Sequence, residues 1–193
     1  MILSNNHVLA NENRAKKGDP ILQPGHFDQG QNPTDGVATL LGFMKLKRIG
    51  ANLVDCAVAA VNDGIQHDHR KLTGLGKLAG IGDMIVDEGT AVAKAGRTTG
   101  VTHGRVTAFE VDNVVVEYDL GYLRFDNQLE IEGAGDLPFS QGGDSGSLIV
   151  DAEHRAVALL FAGGDVGGAN GKGLTYANPL AAAFSALKVE LLY

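Results

Sequence analysis

The chain has 193 residues with a formal net charge of −7 at pH 7, and 44% of its residues are hydrophobic. That hydrophobic fraction is enough for a packed core and excludes an intrinsically disordered chain. The acidic balance disfavours nucleic acid and anionic membranes as partners, and the sequence has no run of about 18 apolar residues that would span a bilayer.

The first 83 residues are predicted to form short strands separated by polar loops. The predicted segments are the end of a strand at 1–3, a long loop over 11–36 with one short strand in it, a strand over 37–47, an extended segment over 52–61, a polar loop over 62–70 and a glycine-punctuated strand over 72–81. Both faces of the strand over 37–47 are mostly apolar, so we expect it to be central in its sheet. Residues 83–89 are predicted to connect the two halves of the chain.

The second half is predicted to contain seven strands and a final helix. The strands are placed at 91–95, 100–110, 113–118, 122–131, 147–150, 156–161 and 172–177, and the helix runs from 179 through 192 with Pro179 in its first turn. Short strands at this spacing indicate an antiparallel barrel or sandwich rather than βαβ units.

A serine stands among glycines in the segment 141–147, directly before a short apolar run. Serine becomes a nucleophile when a histidine accepts its proton and an acid orients that histidine. Upstream of Ser145 the sequence supplies His7 and also Asp55, which interrupts an apolar run. A buried acid without a partner is costly, so we expect His7 to be that partner. The backbone N–H groups of Gly143 and Ser145 are the natural oxyanion donors.

The motifs around these residues resemble those of the chymotrypsin-like (trypsin-fold) serine proteases of bacteria. Gly-Asp-Ser-Gly at 143–146, Ser-Asn-Asn-His-Val-Leu-Ala at 4–10 and Asn-Leu-Val-Asp-Cys-Ala at 52–57 are similar to the family's serine, histidine and aspartate motifs, in the family's order. The segment 94–106 resembles the start of its second barrel. An α/β-hydrolase is excluded, because its nucleophile motif ends in glycine and its acid and histidine follow the serine.

The resemblance implies an all-β fold of two six-stranded antiparallel barrels with a C-terminal helix, the first barrel being truncated at its N-terminus. Residues 1–83 would carry His7 and Asp55, and residues 84–193 would carry Ser145. It implies a serine endopeptidase that acts on peptide or protein substrates through an acyl-enzyme and needs no cofactor or metal. Its substrate pocket would have Phe139 at the floor and a wall formed by four residues, namely Phe161, Ala162, Gly163 and Gly173. Since no acid stands at the floor, a small or apolar substrate side chain is expected.

The incomplete first barrel leaves two other interpretations open. One is a protease-like interaction or assembly module without activity, and the other is a self-processing enzyme whose mature chain begins at residue 1. An open barrel edge would also favour self-association, because unpaired strand edges accept further strands. The single cysteine, Cys56, excludes an intramolecular disulfide, and residue 1 is not followed by a signal-peptide pattern. Both features favour a cytoplasmic protein.

Two other patterns are interpreted as structural. His67-Asp68-His69 contains ligand-type side chains in a polar loop, but no third distant ligand is apparent, so we expect no metal there. The glycines at 74, 76 and 80 miss the spacing of a dinucleotide-binding motif.

Overall fold

The computed structural model describes residues 1–82 and 86–193. Strands β1 to β8 span Ile2–Ser4, Pro20–Leu22, Gly36–Phe43, Ala51–Asn52, Ala57–Val61, Lys71–Leu72, Gly76–Lys77 and Gly80–Ile81. Strands β9 to β16 span Ala91–Gly96, Gly100–Val111, Val114–Tyr118, Gly121–Phe125, Gln128–Gly133, Leu148–Asp151, Arg155–Gly164 and Leu174–Pro179. Helix α1 covers Asn6–Leu9, a 3₁₀ helix covers His26–Asp28, and helix α2 covers Leu180–Leu187.

Six strands of the second half close into a barrel. Their order is β14-β9-β10-β13-β16-β15, and an additional pairing of β14 with β15 closes the ring. All of these pairings are antiparallel. Strand β15 is apolar on both faces and buried over 156–161, as expected for a strand with packed side chains on each side. Val106, Ile131, Ile149 and Phe139 belong to one buried hydrophobic cluster. The closed ring of strands and helix α2 confirm the predicted second barrel with a final helix.

The first half contains a four-stranded antiparallel sheet in the order β1-β5-β3-β2. Strand β3 lies between β5 and β2, so its predicted central position is confirmed. Within the part of the chain that the structure describes, the outer edges of β1 and β2 pair with no other strand. This half therefore ends in two open sheet edges.

A hairpin of β11 and β12 leaves the second-half barrel and packs against the first half. Strand β12 pairs in parallel with β4, with Phe125 opposite Asn52. The ring of Phe125 lies 4.7 Å from that of Phe161, centroid to centroid, and both side chains are buried. The hairpin thus connects strand β15 of the barrel to the segment that leads into Asp55.

Four predicted elements differ from the observed ones. The strand predicted over 37–47 ends at Phe43. The strand predicted over 122–131 is divided into β12 and β13 by a turn in which Asn127 has a φ of 62°. Asparagine tolerates this left-handed conformation better than most residues. The final helix ends at Leu187 instead of 192, because Lys188 adopts a φ of 55° that terminates the helix. The strand predicted over 72–81 is instead three short strands.

The predicted boundary between residues 83 and 84 lies outside the described residues, as does the start of the predicted connector over 83–89. The division into units 1–83 and 84–193 therefore stays a prediction. Across 1–82 and 86–193, no helix has the length and apolar character needed to cross a membrane.

Candidate active site

His7 lies in the single turn of helix α1, directly after strand β1. The first N–H groups of a helix lack partners within the helix itself. Here the carboxylate of Asp55 accepts them, with Oδ1 lying 2.6 Å from the N atom of Asn6 and 3.3 Å from that of His7. Asp55 therefore fixes the helical turn that carries the histidine as well as the histidine side chain.

The carboxylate of Asp55 is fully buried and is surrounded by hydrogen-bond donors. Its Oδ2 atom lies 2.5 Å from His7 Nδ1 and 2.7 Å from the hydroxyl oxygen of Tyr118. Together with the two backbone N–H groups on Oδ1, these contacts compensate for the loss of water around the charge. The buried acid expected from the sequence thus has His7 as a partner.

The contact with Asp55 determines the tautomer of His7. An ionised carboxylate only accepts hydrogen bonds, so the proton of the neutral imidazole lies on Nδ1. Nε2 then carries the lone pair, and it is the nitrogen available to accept a proton. The His7 side chain remains 23% exposed, so a substrate or a serine hydroxyl can approach it.

Buried amide side chains hold the main chain of Asp55. The Asp55 N–H donates to Oδ1 of Asn178 at 2.9 Å, and the Asp55 carbonyl accepts from Nδ2 of Asn5 at 2.8 Å. Asn178 is in turn fixed by Gln128, whose Oε1 lies 2.6 Å from Asn178 Nδ2. Strands β13 and β16 of the barrel therefore position the acid of the first half.

The Ser145 loop consists of two successive turns that overlap at Asp144. One is closed by a hydrogen bond from Asp144 N to Gln141 O and the other by one from Ser147 N to Asp144 O. The third residue of each turn is a glycine with positive φ, 98° at Gly143 and 85° at Gly146. Glycine is the residue that takes this conformation without strain. The glycines around Ser145 are thus explained by the turns.

A buried ion pair fixes the loop from below. Lys94 Nζ lies 3.2 Å from Asp144 Oδ2, and neither side chain is exposed. Burial alone would raise the pKa of Asp144. Hydrogen bonds from the Thr99 hydroxyl and from the backbone N–H groups of Gln141, Thr98 and Thr99 outweigh it, so the pKa lies below its ordinary value. Asp144, which directly precedes the serine, is therefore held as a carboxylate.

The histidine and serine segments touch at Ser4 and Gly146. A Cβ atom on Gly146 would lie 2.0 Å from Ser4 Oγ, so the backbone of the serine loop passes directly against strand β1. Among the described residues, the Ser145 hydroxyl makes no hydrogen bond with His7, and the N–H groups of Gly143 and Ser145 donate to no protein atom. Two unpaired donors thus accompany a partly exposed serine.

The residues predicted to form the substrate pocket fall into two groups. Phe139 and Phe161 are buried, with 1% and 2% of their surfaces exposed, and belong to hydrophobic clusters. Gly163 instead lies beside polar side chains. A Cβ added there would be 3.3 Å from the hydroxyl oxygen of Ser140. That oxygen lies 2.6 Å from the hydroxyl oxygen of Thr175.

The two remaining predicted pocket residues lie beside these groups. Ala162 is half-buried and follows Phe161 along β15. Gly173 is buried close to that strand, because an added Cβ would lie 1.9 Å from the carbonyl oxygen of Gly164. The described part of the region thus presents small side chains and two hydroxyls.

Three residues of the site were not identified from the sequence: Tyr118, Asn178 and Lys94. Tyr118 and Asn178 are separated from Asp55 by 63 and 123 positions, and no local pattern connects them. Lys94 did carry a signal, since a lysine inside an apolar strand needs a buried partner just as Asp55 does. In residues 1–82 and 86–193, no group of three or more His, Cys, Asp or Glu side chains is placed to hold a metal ion.

No protein-family model matches the chain, and no curated protein matches it. Solved structures are similar to it throughout its length. Chymotrypsin of Cellulomonas bogoriensis is 21% identical with a TM-score of 0.63, covering 98% of this chain and 84% of its own. Protease A of Thermobifida fusca is 17% identical with a TM-score of 0.63 and coverage of 98% and 83%. Nocardiopsis protease is 15% identical with a TM-score of 0.63 and coverage of 99% and 84%. The chain therefore has the fold of the bacterial chymotrypsin-like serine proteases, as its motifs predict.

Proposed function

We propose that the protein is a serine endopeptidase with Ser145 as nucleophile, His7 as general base and Asp55 as the acid that orients His7. The observation that carries this proposal is the 2.5 Å contact between His7 Nδ1 and the buried carboxylate of Asp55. It leaves Nε2 as the basic nitrogen, on a segment that touches the Ser145 loop. The protease fold is a second and independent support.

In this mechanism Nε2 of His7 removes the Ser145 proton as Oγ attacks the scissile carbonyl, and Asp55 stabilises the imidazolium that forms. The N–H groups of Gly143 and Ser145 donate to the oxyanion. They have no other acceptor among the described residues, so no protein hydrogen bond must break for them to do so. The imidazolium then protonates the leaving amine. Water attacks the acyl-enzyme by the same sequence of proton transfers.

We further propose that the substrate pocket accepts a small or apolar uncharged side chain. The side-chain atom nearest to a Cβ added at Gly163 is the hydroxyl oxygen of Ser140, which lies 2.6 Å from that of Thr175, so the polar side chains closest to this point are uncharged. A lysine or arginine of the substrate would lose hydration there, and these two hydroxyls supply no counter-ion. Preference for basic residues is therefore not expected.

The alternative is a protease-like interaction module, which the missing hydrogen bond between Ser145 and His7 favours. In proteases without substrate, however, this contact is often long. A library of unstructured peptides incubated with the purified protein separates the two. The proposal requires new peptide ends that depend on time and are absent with Ser145→Ala. Equal peptide patterns for wild type and Ser145→Ala would reject it.

Self-association through the open edges of β1 or β2 also stays a proposal. Unpaired strand edges are suitable for pairing with a second copy of the chain. Light scattering after size exclusion is the test. A mass of two or more times 20.1 kDa supports self-association, and a mass of 20.1 kDa at all concentrations rejects it.

A further inference from the structure

The hydroxyl of Tyr118 is bound to the same carboxylate oxygen as His7. Its oxygen lies 2.7 Å from Asp55 Oδ2, while His7 Nδ1 lies 2.5 Å from that atom. Tyr118 ends strand β11, in the hairpin that crosses from the second half of the chain. The carboxylate thus connects two side chains from opposite halves, one of which is the proposed general base.

The ring of Tyr118 is held so that little freedom remains for the hydroxyl. Its centroid lies 5.7 Å from that of the His7 ring in an edge-to-face arrangement, and 6.0 Å from that of Phe125. Phe125 packs in turn against Phe161 of the barrel. Edge-to-face and tilted contacts of this kind are favourable for aromatic pairs. The tyrosine is therefore packed against both the histidine and the barrel core.

The tip of the hairpin is fastened to the segment that follows His7. The carboxylate of Glu12 accepts the N–H groups of Asp119 at 3.0 Å and Leu120 at 2.9 Å. Arg14 Nη1 lies 2.9 Å from Asp119 Oδ2. The residue directly after Tyr118 is thus connected to the chain a few positions beyond the histidine, so the tyrosine and the histidine segment are held together.

We propose that Tyr118 is a positioning residue, which acts through Asp55 to fix the orientation and the basicity of His7. This proposal rests on the proposed function. The Tyr118 O–H shares the negative charge of Oδ2 and limits the rotation of the carboxylate. Without that donor, the full charge of Oδ2 faces the imidazole. The imidazolium becomes more stable, and the Asp55–His7 pair has more freedom to move.

Burial first, and then the charge of Asp55, raises the pKa of Tyr118. The phenol therefore stays protonated as a donor over the pH range in which histidine titrates. The other ionisable groups around this contact are Glu12, Arg14 and Asp119 at the hairpin tip and Cys56 beside Asp55. A Tyr118→Phe variant leaves all of them in place. A change in the titration of the site can then be assigned to the hydroxyl.

The test compares Tyr118→Phe with Tyr176→Phe, which removes a matched tyrosine–carboxylate hydrogen bond of 3.1 Å to Glu130. In Tyr118→Phe we expect kcat to fall about tenfold with KM nearly unchanged, as for loss of a hydrogen bond to a charged group. The acid limb of kcat/KM should move up by about half a pH unit. Tyr176→Phe should match wild type in both respects. An unchanged kcat and acid limb in Tyr118→Phe would overturn the proposal.

A spectroscopic measurement keeps the proposal testable without activity. In protein with labelled histidine, the midpoint of the His7 imidazole titration should move to higher pH in Tyr118→Phe and not in Tyr176→Phe. If Tyr118→Phe does not fold, 3-fluorotyrosine at position 118 strengthens the donor, and the midpoint should move to lower pH. An unmoved midpoint rejects the role of Tyr118. Absence of hydrolysis by the wild type together with a moved midpoint rejects only the proposed function.

Discussion

Lys94 and Asp144 form an ion pair of 3.2 Å in which neither side chain reaches the solvent. Lys94 belongs to barrel strand β9, and Asp144 directly precedes Ser145. The Thr99 hydroxyl bridges them, since it accepts from Lys94 and donates to Asp144 at 2.7 Å. The ion pair thus fixes the serine loop to the barrel wall.

Removal of the lysine should strongly destabilise the fold. Lys94→Met leaves the buried carboxylate of Asp144 without its cation, and loss of one partner of a buried pair typically costs about 3 to 5 kcal/mol. Urea denaturation at pH 7 measures the free energy of unfolding. Arg97→Met is the control, because it breaks the exposed pair of Arg97 with Asp28 and should have a much smaller effect. Similar losses in the two variants would contradict this account.

The lowered pKa of Asp144 predicts a loss of stability in acid. A carboxyl group whose pKa is lower in the folded state than in the unfolded state stabilises the fold at pH values above its ordinary pKa. This contribution disappears as the pH falls through the lowered pKa. Wild type should therefore lose stability relative to Asp144→Asn as the pH falls below about 4. Chemical denaturation of both proteins from pH 7 down to pH 3 measures the difference. A constant difference across this range would show that Asp144 is not responsible.

Gly146 should not tolerate a side chain. Gly146→Ala places a Cβ 2.0 Å from Ser4 Oγ, which is a steric clash. The φ of 85° at this residue is also unfavourable for alanine. We expect a loss of about 1 to 3 kcal/mol in the free energy of unfolding. Gly142→Ala is the matched control, since a Cβ there meets nothing within 4 Å. Equal free energies of unfolding for the two variants would mean that Ser4 does not pack closely against Gly146.

Cys56 should be unreactive in the folded protein. Burial first, and the charge of Asp55 second, raises the pKa of its thiol to about 12, so the nucleophilic thiolate is scarce at neutral pH. Native protein should take up iodoacetamide far more slowly than protein unfolded in urea, as followed by intact mass. Equal rates would place the thiol in contact with solvent.

The sequence was informative where a residue type has few structural alternatives. Asp55 inside an apolar run required a buried partner, and the structure places His7 Nδ1 against its carboxylate. The glycines around Ser145 indicated turns, and two of them have positive φ. The strand pattern of the second half indicates a barrel or a sandwich, because alternation and turn residues are local properties of the chain, and the family resemblance selects the barrel that the structure shows.

Contacts between segments that are far apart in the sequence cannot be predicted from local patterns in the same way. Tyr118 reaches Asp55 because a hairpin of the second half packs on strand β4, and nothing in the hairpin sequence specifies that partner. The family resemblance places Phe139 at the pocket floor; its side chain belongs to a buried hydrophobic cluster, and its contact with substrate stays a prediction.

Covalent labelling of the native protein by a fluorophosphonate probe tests the proposed triad most directly. The probe phosphonylates a serine only when a base activates it and an oxyanion site receives the developing charge. We expect one adduct on wild type by intact mass, and none on Ser145→Ala or on His7→Ala under the same conditions. A folded wild-type protein that stays unlabelled, or a His7→Ala variant labelled at the wild-type rate, would contradict it.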